Sequence, residues 1–131
     1  MLRVEMSHMR KEETMPTQKP TKMADRKVYD APDLVQYNEG AIVSRTLVNT
    51  DGGTVTVFAF DAGQGLSEHT APFDALVQVL DGEAEIVIGG QPFKVARGQM
   101  ILMPADVPHA VNAGSRFKML LTMVRQAKGL K

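Results

Sequence analysis

The run GQGLSEHTAPFDALVQVLDGEAEIVIGGQPFKVARGQMILMPADVPHAVNA, residues 63 to 113, decides the fold. It carries two histidines, His69 and His109, each just after a turn and at the start of a strand-like run. Between them stand two dipeptides of hairpin type, Asp81-Gly82 and Gly89-Gly90, and a segment from Gly98 to Pro104 that ends in a further turn. Residues 75 to 80, 83 to 88, 92 to 95, 100 to 103 and 109 to 112 are short, rich in Val, Ile and Leu, and bounded by turn residues. That punctuation predicts β-strands. Histidines this far apart in sequence face each other only if the strands close around them.

The same pattern continues on both sides. Residues 41 to 48 read as a strand, the turn at residues 50 to 53 follows, and TVTVFAF (54 to 60) alternates with a period of two. RFKMLLTMV (116 to 124) is the last apolar run. No amphipathic helical window interrupts the series, so the expected fold is all-β, an antiparallel sandwich or barrel. Residues 1 to 28 hold no aromatic and few branched aliphatic side chains and read as a disordered or loosely attached tail. The domain is expected over residues 29 to 126, with a polar tail at 127 to 131. His8 and four methionines, Met1, Met6, Met9 and Met15, fall within the first fifteen residues.

Composition narrows the function. Fifteen basic and fifteen acidic residues cancel, and the basic ones outside the N-terminal tail are scattered, which argues against a nucleic-acid or acidic-membrane partner. The absence of cysteine excludes disulfides, thiolate nucleophiles and cysteine-ligated zinc. There is no apolar run of transmembrane length and no signal-peptide core, so the expected location is the cytoplasm. The glycine pairs precede strands, not helices, and so form no phosphate loop.

The spacing of glycine, proline and histidine resembles the two-motif signature of the cupins. In the first motif a glycine precedes a His-x-His, a glutamate and a closing glycine. Gly63, His69 and Gly82 match, whereas Ala71 stands at the second histidine and Ala75 at the glutamate. In the second motif a glycine precedes Pro-x-Gly, a histidine and an asparagine. Gly98, Pro104 and His109 match, Asp106 replaces the glycine, and Ala113 replaces the asparagine, with Asn112 one position early. The resemblance implies a double-stranded β-helix, or jelly-roll barrel. It also implies a divalent metal, such as Zn, Fe, Mn or Ni, held by three histidines and a glutamate. Two of those four ligands remain, His69 and His109. Three protein ligands are the usual minimum for such sites, so the metal site reads as eroded. Asp74 is a candidate replacement, on the ground that the bend around Pro72 can re-aim it; Glu68 and Gln78 have the wrong parity.

Counting in steps of two from the ligand positions places Ala71, Ala75, Val77, Val79 and Val111 on the inner face. Phe58 and Phe60 share a face of their strand, and Met103 or Met119 close the floor. The expected pocket is mostly apolar with two imidazoles, suited to a small organic ligand. Alternatives are a metal-dependent enzyme of the dioxygenase or isomerase class, completed by Asp74, water or substrate, and a non-catalytic structural or interaction module. The sequence leaves catalysis open. Leu76 and Leu80, with Leu120 and Val124 on the last strand, make an outer face that is also apolar. Such a face needs cover, either from a second copy in a homodimer or from the segment between Tyr29 and Tyr37.

Overall fold

The computed structural model describes residues 23 to 125. The expected C-terminal tail and most of the N-terminal one lie outside the described residues. Eight strands follow a short 3-10 turn at Ala31–Leu34: β1 (Ile42–Thr50), β2 (Gly53–Phe60), β3 (Gly65–His69), β4 (Phe73–Ile88), β5 (Gln91–Ala96), β6 (Met100–Met103), β7 (His109–Asn112) and β8 (Phe117–Arg125). All pairings are antiparallel, and together they make the barrel of the expected all-β class.

One strand links the two walls. β4 pairs through its first half with β8 on one edge and β6 on the other, and through its second half with β5 and β7. The first wall therefore runs β1-β2-β8-β4-β6, and the second is built from β5, the far half of β4, β7 and β3. Where β4 passes between them its register against β8 slips: Val79 pairs with Met119, but Asp81 pairs with Lys118. One extra residue on one strand is a β-bulge, which bends the strand and inverts its alternation. Ala75, Val77 and Val79 are buried before the bulge, and Ala84 and Ile86 after it, so inward positions change from odd to even.

This corrects the hairpin expected at Asp81-Gly82. A two-residue hairpin of the favoured type needs positive φ at both central residues. Gly89 and Gly90 have it, at 59° and 83°, and join β4 to β5; at the bulge only Gly82 does, at 74°. A Cβ on Gly82 would lie 2.2 Å from the Arg116 carbonyl oxygen, so only glycine lets β8 approach there.

The main core lies between the walls, with Phe60 stacked on Phe117 at a centroid distance of 4.6 Å and Phe58 beside them. A second, smaller cluster covers the outer side of β1, β2 and β8. There Leu34 and Val35 pack with Leu47, Val57 and Ala59, and Tyr29, Tyr37, Leu80 and Leu120 close in around them. The segment before β1 thus supplies the cover that Leu80 and Leu120 require. Burying Leu34 and Val35 contributes roughly 3–6 kcal/mol relative to leaving them exposed. Polar contacts pin the same segment. The Tyr37 hydroxyl donates to Asp81 Oδ2 at 2.6 Å, and buried Lys118 donates from Nζ to the Pro32 carbonyl at 2.6 Å. Arg116 and Lys118 both approach the Tyr37 ring at 5.0 Å, and Arg116 also pairs with Asp61 at 2.7 Å. Leu76, Met100, Leu102 and Val124 stay exposed.

Candidate functional site

His69 and His109 come together because β3 and β7 pair antiparallel and place them directly opposite each other. Their rings meet edge to face, with centroids 4.5 Å apart and planes 72° apart. A bulge in β3 contributes. Leu66 pairs with Val111 and His69 with His109, so three steps on β3 match two on β7. Leu66 and His69 consequently face the same interior despite their odd spacing. Strict alternation from His69 misses Leu66, which is buried in the cavity wall.

The backbone sets the tautomer of both rings. His69 Nδ1 lies 2.8 Å from the Ser67 carbonyl oxygen, and His109 Nδ1 lies 3.2 Å from that of Val107. A carbonyl only accepts, so each Nδ1 carries the hydrogen, and in the neutral form of each ring the lone pair is on Nε2. His109 is buried, and that burial, with His69 beside it, lowers its pKa from the ordinary value of 6.5 against the opposing pull of the Val107 carbonyl. It is held as neutral imidazole.

The pair borders a cavity of about 300 Å³ between the two walls. Leu66, His69, His109 and Val111 line it from the second wall, and Ala75, Met103, Met119, Leu121 and Met123 from the first. Thr70, Ala71, Pro72 and Phe73 complete it; Thr70 and Pro72 are also exposed, which puts the mouth at the bend between β3 and β4. Among the described residues no Lys, Arg, Asp or Glu lines it. The lining is apolar except for the two imidazoles and Thr70.

Of the residues expected around the pocket, Ala71, Ala75, Met103, Val111 and Met119 line this cavity with the two histidines. Phe58, Phe60, Val77 and Val79 do not. They face the same interior but are packed in its filled part, where the stacked Phe60 and Phe117 leave no space. Alternation assigns a face and says nothing about depth along the barrel. Thr70, Pro72, Phe73, Leu121 and Met123 lie outside that expectation: Thr70 and Pro72 belong to the bend, Phe73 opens β4 two residues before Ala75, and Leu121 and Met123 stand on β8, which is apolar on both parities.

Asp74 is corrected as a ligand candidate. Ala75 points into the cavity, so Asp74 faces the other way, and its Oδ1 accepts from the Ala105 N–H at 2.9 Å. It fastens the turn at residues 104 to 108 that delivers His109. In the same turn Asp106 takes φ 65°, the left-handed conformation that the resembled motif's glycine supplies, and its N–H donates to the Ala71 carbonyl at 2.8 Å. Among the described residues no three of His, Cys, Asp or Glu gather as a metal site. Two imidazoles without a carboxylate do not fit the divalent ion that the resemblance implies.

A family model described as a cupin domain matches residues 56–125. A conserved protein of unknown function from Streptococcus pyogenes is 39% identical, with a TM-score of 0.78 over 84% of this chain and 96% of its own. A cupin 2 conserved barrel domain protein from Leptotrichia buccalis is 44% identical, with a TM-score of 0.70 over 72% of this chain; the match spans 46% of that protein. A cupin superfamily protein from Desulfitobacterium hafniense is 25% identical, with a TM-score of 0.76 over 83% of this chain and all of its own. No curated protein matches the chain.

Proposed function

This chain belongs to the cupin family, and on that premise we propose that it binds a small, uncharged organic molecule in the cavity between its walls, its divalent-metal site being eroded. One observation carries the reading: a cavity of about 300 Å³ whose lining is apolar apart from Thr70 and two imidazoles, each presenting an Nε2 acceptor. That volume is at the small end for ligand pockets. A single-ring compound with one hydroxyl donor matches both the size and the acceptors. A carboxylate ligand would meet no cation in this wall, and a bare hydrocarbon would leave the buried His109 acceptor unpaired.

Phenol and toluene, which differ by one hydroxyl, provide the test. Amide and methyl NMR shifts of Leu66, Ala75 and Val111 should move saturably with phenol, at least tenfold more weakly with toluene, and with neither in an Ala75→Leu variant that fills the cavity. Equal response to both compounds, or shifts that survive Ala75→Leu, would overturn the reading.

The proposal includes a homodimer through the exposed apolar face of β4, β6 and β8. Leu76 lies between Leu102 and Thr122, and among the described residues β6 pairs with β4 alone, as a sheet edge. Light scattering should show a dimer for the wild type and a monomer for Leu102→Lys. An unchanged mass on substitution would remove that part of the proposal.

A further inference from the structure

The two acceptors of the cavity are held in different ways. Ser67, whose carbonyl fixes the His69 ring, lies on β3 itself, two residues before the ring. Val107, whose carbonyl fixes the His109 ring, lies off the strands, in the turn between β6 and β7. The orientation of His109 is therefore only as secure as that turn. Val107 closes it by donating its N–H to the Pro104 carbonyl at 3.4 Å, a long bond. The third residue of the turn, Asp106, is left-handed at φ 65°, a conformation that strains a residue with a Cβ and does not strain glycine. With a long closing bond and a strained corner, the turn depends on support from outside.

The support comes from the bend between β3 and β4. Asp74 Oδ1 accepts from the Ala105 N–H at 2.9 Å, and the Ala71 carbonyl accepts from the Asp106 N–H at 2.8 Å. Both central amides of the turn are thus tied to one short segment, and Asp74 is the only side chain in that tie. We infer that Asp74 is a positioning residue that sets the specificity of the cavity. Through the turn it holds the Val107 carbonyl on His109 Nδ1, and so keeps Nε2 an acceptor for the ligand's hydroxyl. Asp74 does not line the cavity and touches no ligand in it. If the turn slackens, the imidazole can carry its hydrogen on Nε2 instead, and an acceptor becomes a donor. The inference rests on the organic-ligand reading for its effect on binding, but not for its effect on the ring.

Ring nitrogen shifts report the tautomer without any ligand, in the full chain labelled with 15N and read at pH 7.5 through the carbon-bound ring protons. Asp74→Ala should move His109 from the Nδ1–H form toward a mixture and leave His69, fixed within its own strand, unchanged. Asp74→Asn, whose amide oxygen still accepts from Ala105, should keep the wild-type shifts. Phenol should bind Asp74→Ala about fivefold or more weaker than wild type, with toluene changed less than about twofold, because only phenol uses the acceptor. In an Asp106→Gly background the corner carries no strain, and the phenol loss caused by Asp74→Ala should shrink to about twofold or less. Unaltered His109 shifts in Asp74→Ala, or no rescue by asparagine, would overturn the inference. So would a phenol loss matched by toluene, or one undiminished in the Asp106→Gly background. A wild type that ignores phenol refutes the organic-ligand reading, and the ring shifts then decide on Asp74 by themselves.

Discussion

Gly82→Ala tests whether the bulge in β4 joins the two walls for the reason given. Two costs arise at once. An L-residue at φ 74° carries roughly 1–2 kcal/mol of left-handed strain. The new Cβ also stands 2.2 Å from Arg116 O and 3.0 Å from Phe117 Cα, where backbone must retreat by most of an ångström and the β4–β8 ladder loosens beside the Phe60–Phe117 stack. Gly98 is the control. Its φ of 87° carries the same strain, but nothing lies within 4 Å of its Cβ position. Alanine also restricts the unfolded chain, which returns about 0.4–1 kcal/mol in both variants. The net expectation is a loss of about 1 kcal/mol for Gly98→Ala and about 3 kcal/mol or more for Gly82→Ala. At a urea m-value of about 1–1.5 kcal/mol/M, the two midpoints should differ by roughly 1–2 M at one fixed protein concentration. Coincident midpoints would show that the close approach of β8 is not what demands glycine, and the account of the bulge would fail.

Two more predictions concern the site and its cover. Because the folded pKa of His109 lies below its unfolded value of 6.5, the unfolded chain binds more protons as pH falls. This contribution to stability is complete above pH 6.5 and declines toward acid, by at most about 1.4 kcal/mol per pH unit. Urea unfolding at pH 7.5 and 5.5 should therefore show a larger acid loss for wild type than for His109→Leu; equal losses would place the ring in solvent. Tyr37→Phe removes the hydroxyl that donates to Asp81 at 2.6 Å, an O–H whose own pKa is pushed above the usual tyrosine value by burial and then by that carboxylate. It should cost about 1–2 kcal/mol in thermal or urea unfolding, and a loss below about 0.3 kcal/mol would mean that apolar contacts alone hold the segment before β1.

Most strands were legible because alternation and turn residues agree, as in TVTVFAF and at Gly89-Gly90. The barrel was legible through Gly63, Gly98, Pro104 and the two histidines. What escaped was what bulges do. The change of inward parity between Val79 and Ala84 is visible in the sequence, but a hairpin and a bulge leave the same trace. Only the approach of Arg116 and Phe117, from a strand more than thirty residues away, decides between them. The bulge in β3 likewise hid Leu66. The position of Asp74 followed from plain alternation, and its bond to Ala105 depends on a turn that no local signal places beside it. The methionines read as core filler, and Met103 and Met119 are buried in the main core with Met123 packed against it.

The sixteen-residue β4 also governs the order in which the molecule can assemble. Its four partners, β5, β6, β7 and β8, all follow it in the chain. During synthesis the edge of its first half that meets β8 stays unpaired until residues 117 to 125 have emerged, and Ala75, Val77 and Val79 lack that neighbour until then. Such non-local pairing closes slowly, on the millisecond-to-second scale, and exposes strand edges to neighbouring chains in the interval. Aggregation during expression is the hazard that comes with building both walls on one strand.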